Sequence, residues 1–366
     1  MKILIACGGT GGHIFPGLSL YKALKRINRD TDIILALDER AFSANIINEE
    51  FPLAYLSLAP LTIKFDLQNI FNVIKLLKGI FQSLKVLLRF KPHVVVGFGG
   101  YASFFLVFFA WIFRIKTIIH EQNVIPGRSN RMLAYFVNKI ATGFAKTVDY
   151  FGFNSGKVQF TGNPLRPNLV RIEKNRAFEF FGLHSNKFTI LVMGGSQGAH
   201  KINISFLKAV SLIKDKSRFQ IIHLCGRKDL SLLEDGYKDL GIKARIIAFF
   251  GPMEYAYSAA DMVVSRAGAA SISEIAFFGL PSIIVPYPYV HRHQIENAHS
   301  LFKNNAAILT NEKDLCPEIL KDKILELFNN PRLRESMSKN VLKFVEPKAD
   351  EFLADLVLNE AQTQPS

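Results

Sequence analysis

A chain of 366 residues, 49% of them hydrophobic, has room for two ordinary domains, each burying its own core without disulfides or metals. The 21% of charged residues excludes disorder by composition, and 45 Lys and Arg against 31 Asp and Glu leave a net +14 that calls for an anionic partner: nucleic acid, an acidic lipid surface or phosphorylated small molecules. Three scattered cysteines, Cys7, Cys225 and Cys316, exclude a disulfide framework and a CxxC zinc site and favour a reducing compartment, while no nucleic-acid-binding motif supports the first of those partners.

The N-terminal run KILIAC is too short for the core of a signal peptide and reads as a first β-strand. It runs into Gly8-Gly9-Thr10-Gly11-Gly12, then His13 and a helical pattern. A glycine-rich turn at a strand's carboxyl end lets the backbone approach a ligand, and the next helix offers unpaired N–H groups to an anion. The spacing is not that of a P-loop, and Ile14 stands where the dinucleotide fingerprint would need glycine.

Leu61 to Phe90 is of another kind. One acidic residue, Asp66, stands against Lys64, Lys75, Lys78, Lys85 and Arg89, interleaved with Phe65, Ile70, Phe71, Ile74, Leu77 and Phe81. Basic amphipathic helices of this composition lie in the interface of anionic membranes, although part of the segment should also pack on the first domain. Val94–Phe113 is uncharged over about twenty residues, the length of a membrane span. Yet HVVVGF is strand-like and Gly99-Gly100 interrupts it, so Tyr101 to Phe113, with Trp111, reads as a buried or interfacial helix.

The strand TII ends in His120-Glu121-Gln122-Asn123, four polar residues where open α/β sheets bind ligands. Asn and Gln suit sugar hydroxyls because each both donates and accepts. One such His is often structural; four polar residues in a row are harder to explain by packing. Gly162-Asn163-Pro164-Leu165-Arg166-Pro167 then reads as a hinge.

The second half repeats the rhythm: FTILVMGG, FQIIHLCG, ARIIAFF, MVVSRAG and PSIIVPY are runs fit for strands buried on both faces, hence parallel sheets. FTILVM runs into Gly194-Gly195-Ser196-Gln197-Gly198-Ala199, so both halves open alike and predict two Rossmann-like domains. MVVS meets a small-residue turn, Arg266 to Ser273, where a base or phosphate can lie against the backbone. Glu274 beyond it could accept both hydroxyls of a ribose, or be an exposed Glu near a helix start, favoured by the dipole. His291 and His293 hint at metal by spacing, but no carboxylate or Cys cluster accompanies them. The tail after Pro347 is a short amphipathic helix with a polar end.

Taken together, GGTGGH at Gly8–His13, HEQN at His120–Asn123, GNPLR at Gly162–Arg166, GGSQGA at Gly194–Ala199 and SRAGA with Glu274 resemble the MurG family of peptidoglycan glycosyltransferases, in family order from position 8 to about 297. The resemblance implies an α/β GT-B fold: two Rossmann-like domains whose parallel sheets face a deep cleft. Residues 1–163, joined by a C-terminal helix at about 345–360, would bind the acceptor and the membrane, and 164–344 the donor UDP-N-acetylglucosamine.

It also implies residue roles. Ser196 would contact the pyrophosphate. Phe250 and the stretch Ala269, Ala270, Ser271, Ile272 and Ser273 would line uracil and ribose, with Glu274 on the ribose hydroxyls. Gln294 and Asn123 would hold the sugar, and Arg166 with Thr10, Gly11 and Gly12 would complete the donor site. His13 and Tyr101 would face the acceptor. The chain departs from the family pattern at Val290-His291-Arg292, where an acidic residue is usual, and at Ala270, where a bulkier one is common.

The expected reaction is an inverting transfer of N-acetylglucosamine to the C4 hydroxyl of the muramyl sugar of lipid I, giving lipid II. It uses no cofactor and no bound metal, and His13 would be the base, since an imidazole titrates near neutral pH. The expected setting is the cytoplasmic face of the bacterial inner membrane, as a peripheral protein docked through Lys75, Lys78, Phe81, Lys85 and Trp111, with no nucleic-acid partner. The competing readings are another lipid glycosyltransferase of this fold, acting on diacylglycerol or a lipid A precursor, and a basic membrane-bound scaffold without catalysis.

Overall fold

The computed structural model describes residues 1–39, 51–58, 67–195, 198–289 and 292–363. They form two compact units, Met1–Pro167 with Glu346–Ser366, and Asn168–Val345.

In the first unit the chain runs β1 (Lys2–Cys7), α1 (Gly11–Ile27), β2 (Asp32–Asp38), β3 (Leu53–Leu56), α2 (Leu67–Phe90), β4 (Val94–Gly97), α3 (Gly100–Ile112), β5 (Lys116–Glu121), α4 (Arg128–Leu133), β6 (Lys139–Thr142), a 3-10 stretch Ala145–Lys157 and β7 (Val158–Phe160). The sheet order is β3-β2-β1-β4-β5-β6-β7, parallel throughout. Alternation along β1 explains why both faces must be covered. Ile3, Ile5 and Cys7 pack with α1 on one side, and Leu4 and Ala6 with α3 and Leu87 of α2 on the other.

The second unit runs α5 (Lys174–Phe181), β8 (Phe188–Met193), α6 (His200–Ser211), β9 (Phe219–Leu224), α7 (Leu230–Asp239), β10 (Ala244–Ile247), α8 (Met253–Ala259), β11 (Met262–Ser265), α9 (Ala269–Phe278), β12 (Ser282–Ile284), α10 (His293–Lys303), β13 (Ile308–Leu309), α11 (Pro317–Asn329) and α12 (Pro331–Val341). Its order, β10-β9-β8-β11-β12-β13, repeats the first: the initial strand sits centrally, with the chain winding outward on both sides. Local chemistry sets the helix ends. Pro317 and Pro331 open α11 and α12 behind the caps Cys316 and Asn330, and Gly182 and Gly279 close α5 and α9 in left-handed conformation. The chain then returns as α13 (Ala349–Gln362) to the first unit, where Leu353, Ala354 and Val357 enter the core beside α1.

In such sheets the winding reverses beside the central strand, and ligands bind beyond the strand ends at that point. The reversal falls between β1 and β4 in one unit and between β8 and β11 in the other. The glycine turns after β1 and β8, and the turns after β4 and β11, therefore flank the two switch points.

The helix α2 turns a narrow strip to the domain. Gly79, Ser83 and Leu87 are buried, four residues apart, and a β-carbon on Gly79 would overlap Leu58. Phe71, Ile74, Leu77 and Phe81 lie exposed, Phe81 by 71%, and the exposed Lys75, Lys78 and Lys85 lie among them. Trp111, Ile112 and Phe113 are exposed at the end of α3. Among the described residues no helix is long and apolar enough to cross a membrane.

Candidate active site

In the first unit His13 sits in the first turn of α1, between the two glycine turns. Its Nδ1 lies 3.4 Å from Thr10 Oγ1 and 2.6 Å from where a β-carbon on Gly8 would stand. Its Nε2 lies 3.3 Å from the corresponding position on Gly99. Gly99 and Gly100 take φ of 94° and 83°, a region open to glycine, and so bring the turn after β4 against Gly8. The first hydrogen bonds of α1 run from His13 and Ile14 to the Thr10 carbonyl, so the amides of Gly11 and Gly12 precede the helical ladder and suit an anion. Tyr101 is partly exposed one residue beyond Gly100. Arg166 stacks over the Phe15 ring at 4.7 Å, and that ring lies 3.2 Å from the β-carbon position of Gly11. Thr10, Gly11, Gly12, His13, Tyr101 and Arg166 thus gather at this switch point.

The His120–Asn123 segment proves mostly structural. His120 and Gln122 are buried; His120 Nε2 bonds the Gly162 carbonyl at 2.9 Å, and Gln122 Nε2 donates to Phe98 O at 3.1 Å. Glu121, also buried, accepts from Asn123 N and Asn123 Nδ2 on one oxygen, and from Gly127 N and Asn130 Nδ2 on the other. Packing therefore accounts for three of the four polar residues, against the expectation from sequence. Asn123, half-buried and braced by Glu121, is the member that remains at the edge.

In the second unit the turn after β8 requires glycine at position 198, where φ is 78° and a β-carbon would overlap the Cys225 carbonyl. Beneath it lies a chain of polar contacts. His200 Nδ1 meets Asp229 at 2.8 Å, Asn203 donates to Asp229 Oδ2 at 2.7 Å and to Cys225 O at 2.9 Å, and His223 bridges Asn203 and Tyr237. The network ties the start of α6 to the end of β9. Ser196, Gln197, Val290 and His291 lie outside the described residues, as do Lys64, Phe65 and Asp66.

At the turn after β11, Ala270 and Ser271 are partly exposed, whereas Ile272 and Ser273 point into the core, so from the predicted stretch only the first turn can meet a ligand with its side chains. Glu274 is not an exposed helix-start residue. It is 2% exposed, and the buried Tyr257 hydroxyl donates to its Oε2 at 2.8 Å. Gln294 Oε1 accepts from Ala267 N at 3.3 Å and Tyr287 N at 3.0 Å, which directs its NH2 group elsewhere. Phe250 packs with Phe180 and Phe181 beyond β10, beside the exposed Phe249. Sequence reasoning missed Tyr257 and Asn130. Neither belongs to a motif, and only the fold brings them to Glu274 and Glu121. It also missed the buried ion pair of Arg266 with Glu312, which fixes the floor of this turn.

Burial holds two imidazoles neutral. It lowers His120 to about 4, opposed by the Gly162 carbonyl, and His223 to about 3, opposed by Asp229. An unfolded chain binds these protons from about pH 6.5 downward while the native state does not. Stability is therefore whole above about pH 6.5 and falls as pH drops toward about 4, by on the order of 3 kcal/mol per histidine. Urea midpoints measured across that range should fall, and His223→Gln should flatten the decline. A wild-type midpoint that stays level would refute the assignment.

Residues 3–142 match the glycosyltransferase family 28 N-terminal domain, and residues 189–353 the glycosyltransferase family 28 C-terminal domain. The chain is 35% identical, over 97% of its length and 98% of the relative's, to the UDP-N-acetylglucosamine--N-acetylmuramyl-(pentapeptide) pyrophosphoryl-undecaprenol N-acetylglucosamine transferase of Thermodesulfovibrio yellowstonii. A relative of the same name from Caldanaerobacter subterraneus is 37% identical over 92% of this chain and 93% of its own. Among solved structures, Acinetobacter baumannii MurG superposes with a TM-score of 0.76 at 24% identity, covering 98% of this chain and 99% of that one. The UDP-GlcNAc 2-epimerase of Neisseria meningitidis, solved with UDP-GlcNAc, reaches 0.68 at 16% identity over 98% and 100% of the two chains. Two Rossmann-like units, each with glycine turns at its switch point, make up the architecture of GT-B glycosyltransferases. The chain belongs to glycosyltransferase family 28 and, within it, to the MurG family.

Proposed function

We propose that the chain transfers N-acetylglucosamine from UDP-N-acetylglucosamine to the C4 hydroxyl of the muramyl sugar of undecaprenyl-pyrophosphoryl-MurNAc-pentapeptide, forming lipid II for peptidoglycan synthesis. The observation that carries this reading is similarity across nearly the whole chain to transferases named for that reaction. In it, the acceptor hydroxyl gives its proton to His13 and attacks the anomeric carbon, and UDP leaves with inversion. The leaving diphosphate is met by backbone N–H groups at the start of α6, and losing one such donor typically costs about 2.7–4 kcal/mol of barrier. Glu274 takes the ribose hydroxyls, Phe250 and the first turn of α9 the uracil side, and Gln294, Asn123 and Arg166 the sugar. Tyr101 faces the acceptor.

Incubation with labelled UDP-N-acetylglucosamine and a lipid I analogue should yield the lipid-linked disaccharide. Transfer to diacylglycerol instead, or to neither, would overturn the assignment.

An acceptor with a lipid tail calls for a reaction at a bilayer, and we propose its cytoplasmic face as the setting. The exposed apolar and cationic side of α2, with Trp111, supports docking there, because contiguous apolar surface rimmed by basic residues favours anionic lipid. Changing Lys75, Lys78 and Lys85 together to Glu should release the protein from anionic vesicles, each lysine near the surface being worth about 1 kcal/mol. Undiminished co-sedimentation of the triple variant would rule out this face.

A further inference from the structure

We propose that a cavity between α4 and the 3-10 stretch after β6 is the subsite for the peptide stem of the acceptor, with Arg128 and Arg131 holding its carboxylates. The cavity measures about 390 Å³ and is lined by Arg128, Arg131, Met132, Tyr135, Tyr150 and Phe151. Both arginines are exposed, and neither guanidinium has an ion pair or hydrogen bond among the described residues. Three residues apart on α4, they lie on one face and can grip one anionic group together.

Position ties the cavity to the acceptor side of the reaction. Its two walls, α4 and the 3-10 stretch, follow β5 and β6 in the chain, as the turns bearing His13 and Tyr101 follow β1 and β4 in the same sheet. Ser129 Oγ donates to the Gly100 carbonyl at 3.3 Å, so α4 is bonded to the turn that carries Tyr101. The buried Glu121 fixes its other side through Gly127 N at 2.9 Å and Asn130 Nδ2 at 2.8 Å. The arginines therefore project from a braced element beside the switch point.

The lining selects the ligand. A diphosphate is served by main-chain amides such as those of Gly11 and Gly12, and gains nothing from an aromatic wall. A peptide brings carboxylates for the guanidinium groups and apolar side chains for Met132, Tyr135 and Tyr150. The relatives' acceptor carries a pentapeptide, which ends in a carboxylate. The proposal rests on the acceptor assigned above and adds where its peptide lies.

The test compares wild type with Arg128→Ala/Arg131→Ala on two acceptors, the lipid-linked muramyl pentapeptide and the same lipid-linked sugar without peptide. The KM for the pentapeptide acceptor should rise about 10- to 100-fold, the effect of losing charge-assisted hydrogen bonds. The kcat at saturating acceptor, the KM for UDP-N-acetylglucosamine and the KM for the peptide-free acceptor should stay as in wild type. Equal loss on both acceptors would assign the arginines to the pyrophosphate and overturn the proposal. A loss seen on anionic vesicles but absent in detergent would assign them to lipid headgroups and overturn it equally, and no loss at all would empty the cavity of this role. Direct binding of a fluorescent pentapeptide acceptor reads the subsite without turnover. A wild type that binds it but transfers nothing would count against the reaction, whereas equal binding by wild type and variant would count against the subsite.

Discussion

Replacing His13 with alanine should lower kcat by roughly 10²–10⁴-fold while UDP-N-acetylglucosamine still binds, because a general base contributes about that much and touches the acceptor, not the nucleotide. The expectation rests on the ring's confinement between Gly8 and Gly99, where both ring nitrogens are within a few ångströms of glycine backbone. His13→Gln keeps a hydrogen-bonding side chain but cannot take the proton, so it should lose nearly as much. Gly8→Ala provides a second approach, since its new β-carbon would stand 2.6 Å from His13 Nδ1 and displace the imidazole. Isothermal calorimetry with UDP-N-acetylglucosamine and single-turnover kinetics separate the two steps. Weak donor binding with normal turnover of the bound complex would remove His13 from the base role.

Glu274→Ala should weaken UDP binding about 10- to 100-fold, the range for hydrogen bonds to a charged acceptor. The same change removes the carboxylate to which the buried Tyr257 hydroxyl donates at 2.8 Å, leaving the weaker Met193 Sδ contact at 3.6 Å, and should cost about 1–3 kcal/mol of stability. Tyr257→Phe divides these effects. It keeps the carboxylate and removes the group that orients it, so UDP affinity should fall by about 2- to 10-fold with the protein still folded. A 2′-deoxyribose donor checks the contact itself: wild type should discriminate against it, and the Glu274→Ala protein should not. Equal affinity of wild type and Glu274→Ala for UDP would take Glu274 off the ribose.

The parallel sheets and their glycine turns were legible because they rest on local chemistry: Ile- and Val-rich runs of strand length, then residues without side chains. Less legible was which polar residues at a strand end face outward. Glu121 and Asn123 look alike in sequence, yet Glu121 is consumed by Gly127 and Asn130, and position in the chain does not reveal that use. The same limit applies to the start of α9, where helical periodicity, readable only once the helix boundary is known, turns Ile272 and Ser273 inward and leaves Ala270 and Ser271 outside. Tyr257 sits seventeen residues before Glu274, and only the packing of α8 against α9 joins them. The composition of α2 did announce a mixed helix, but the narrowness of its buried strip, Gly79, Ser83 and Leu87, depended on Leu58 and so on the tertiary fold.

The return of α13 to the first unit has a consequence for biosynthesis. Leu353, Ala354 and Val357 complete a core begun by Ile3 and Ile14, so that core stays open until the intervening 168–345 have been translated. At ordinary elongation rates this leaves a half-covered apolar sheet for on the order of ten to thirty seconds, long enough for chaperones to engage the nascent chain. The second unit, contiguous in sequence, has no such wait and can be complete first.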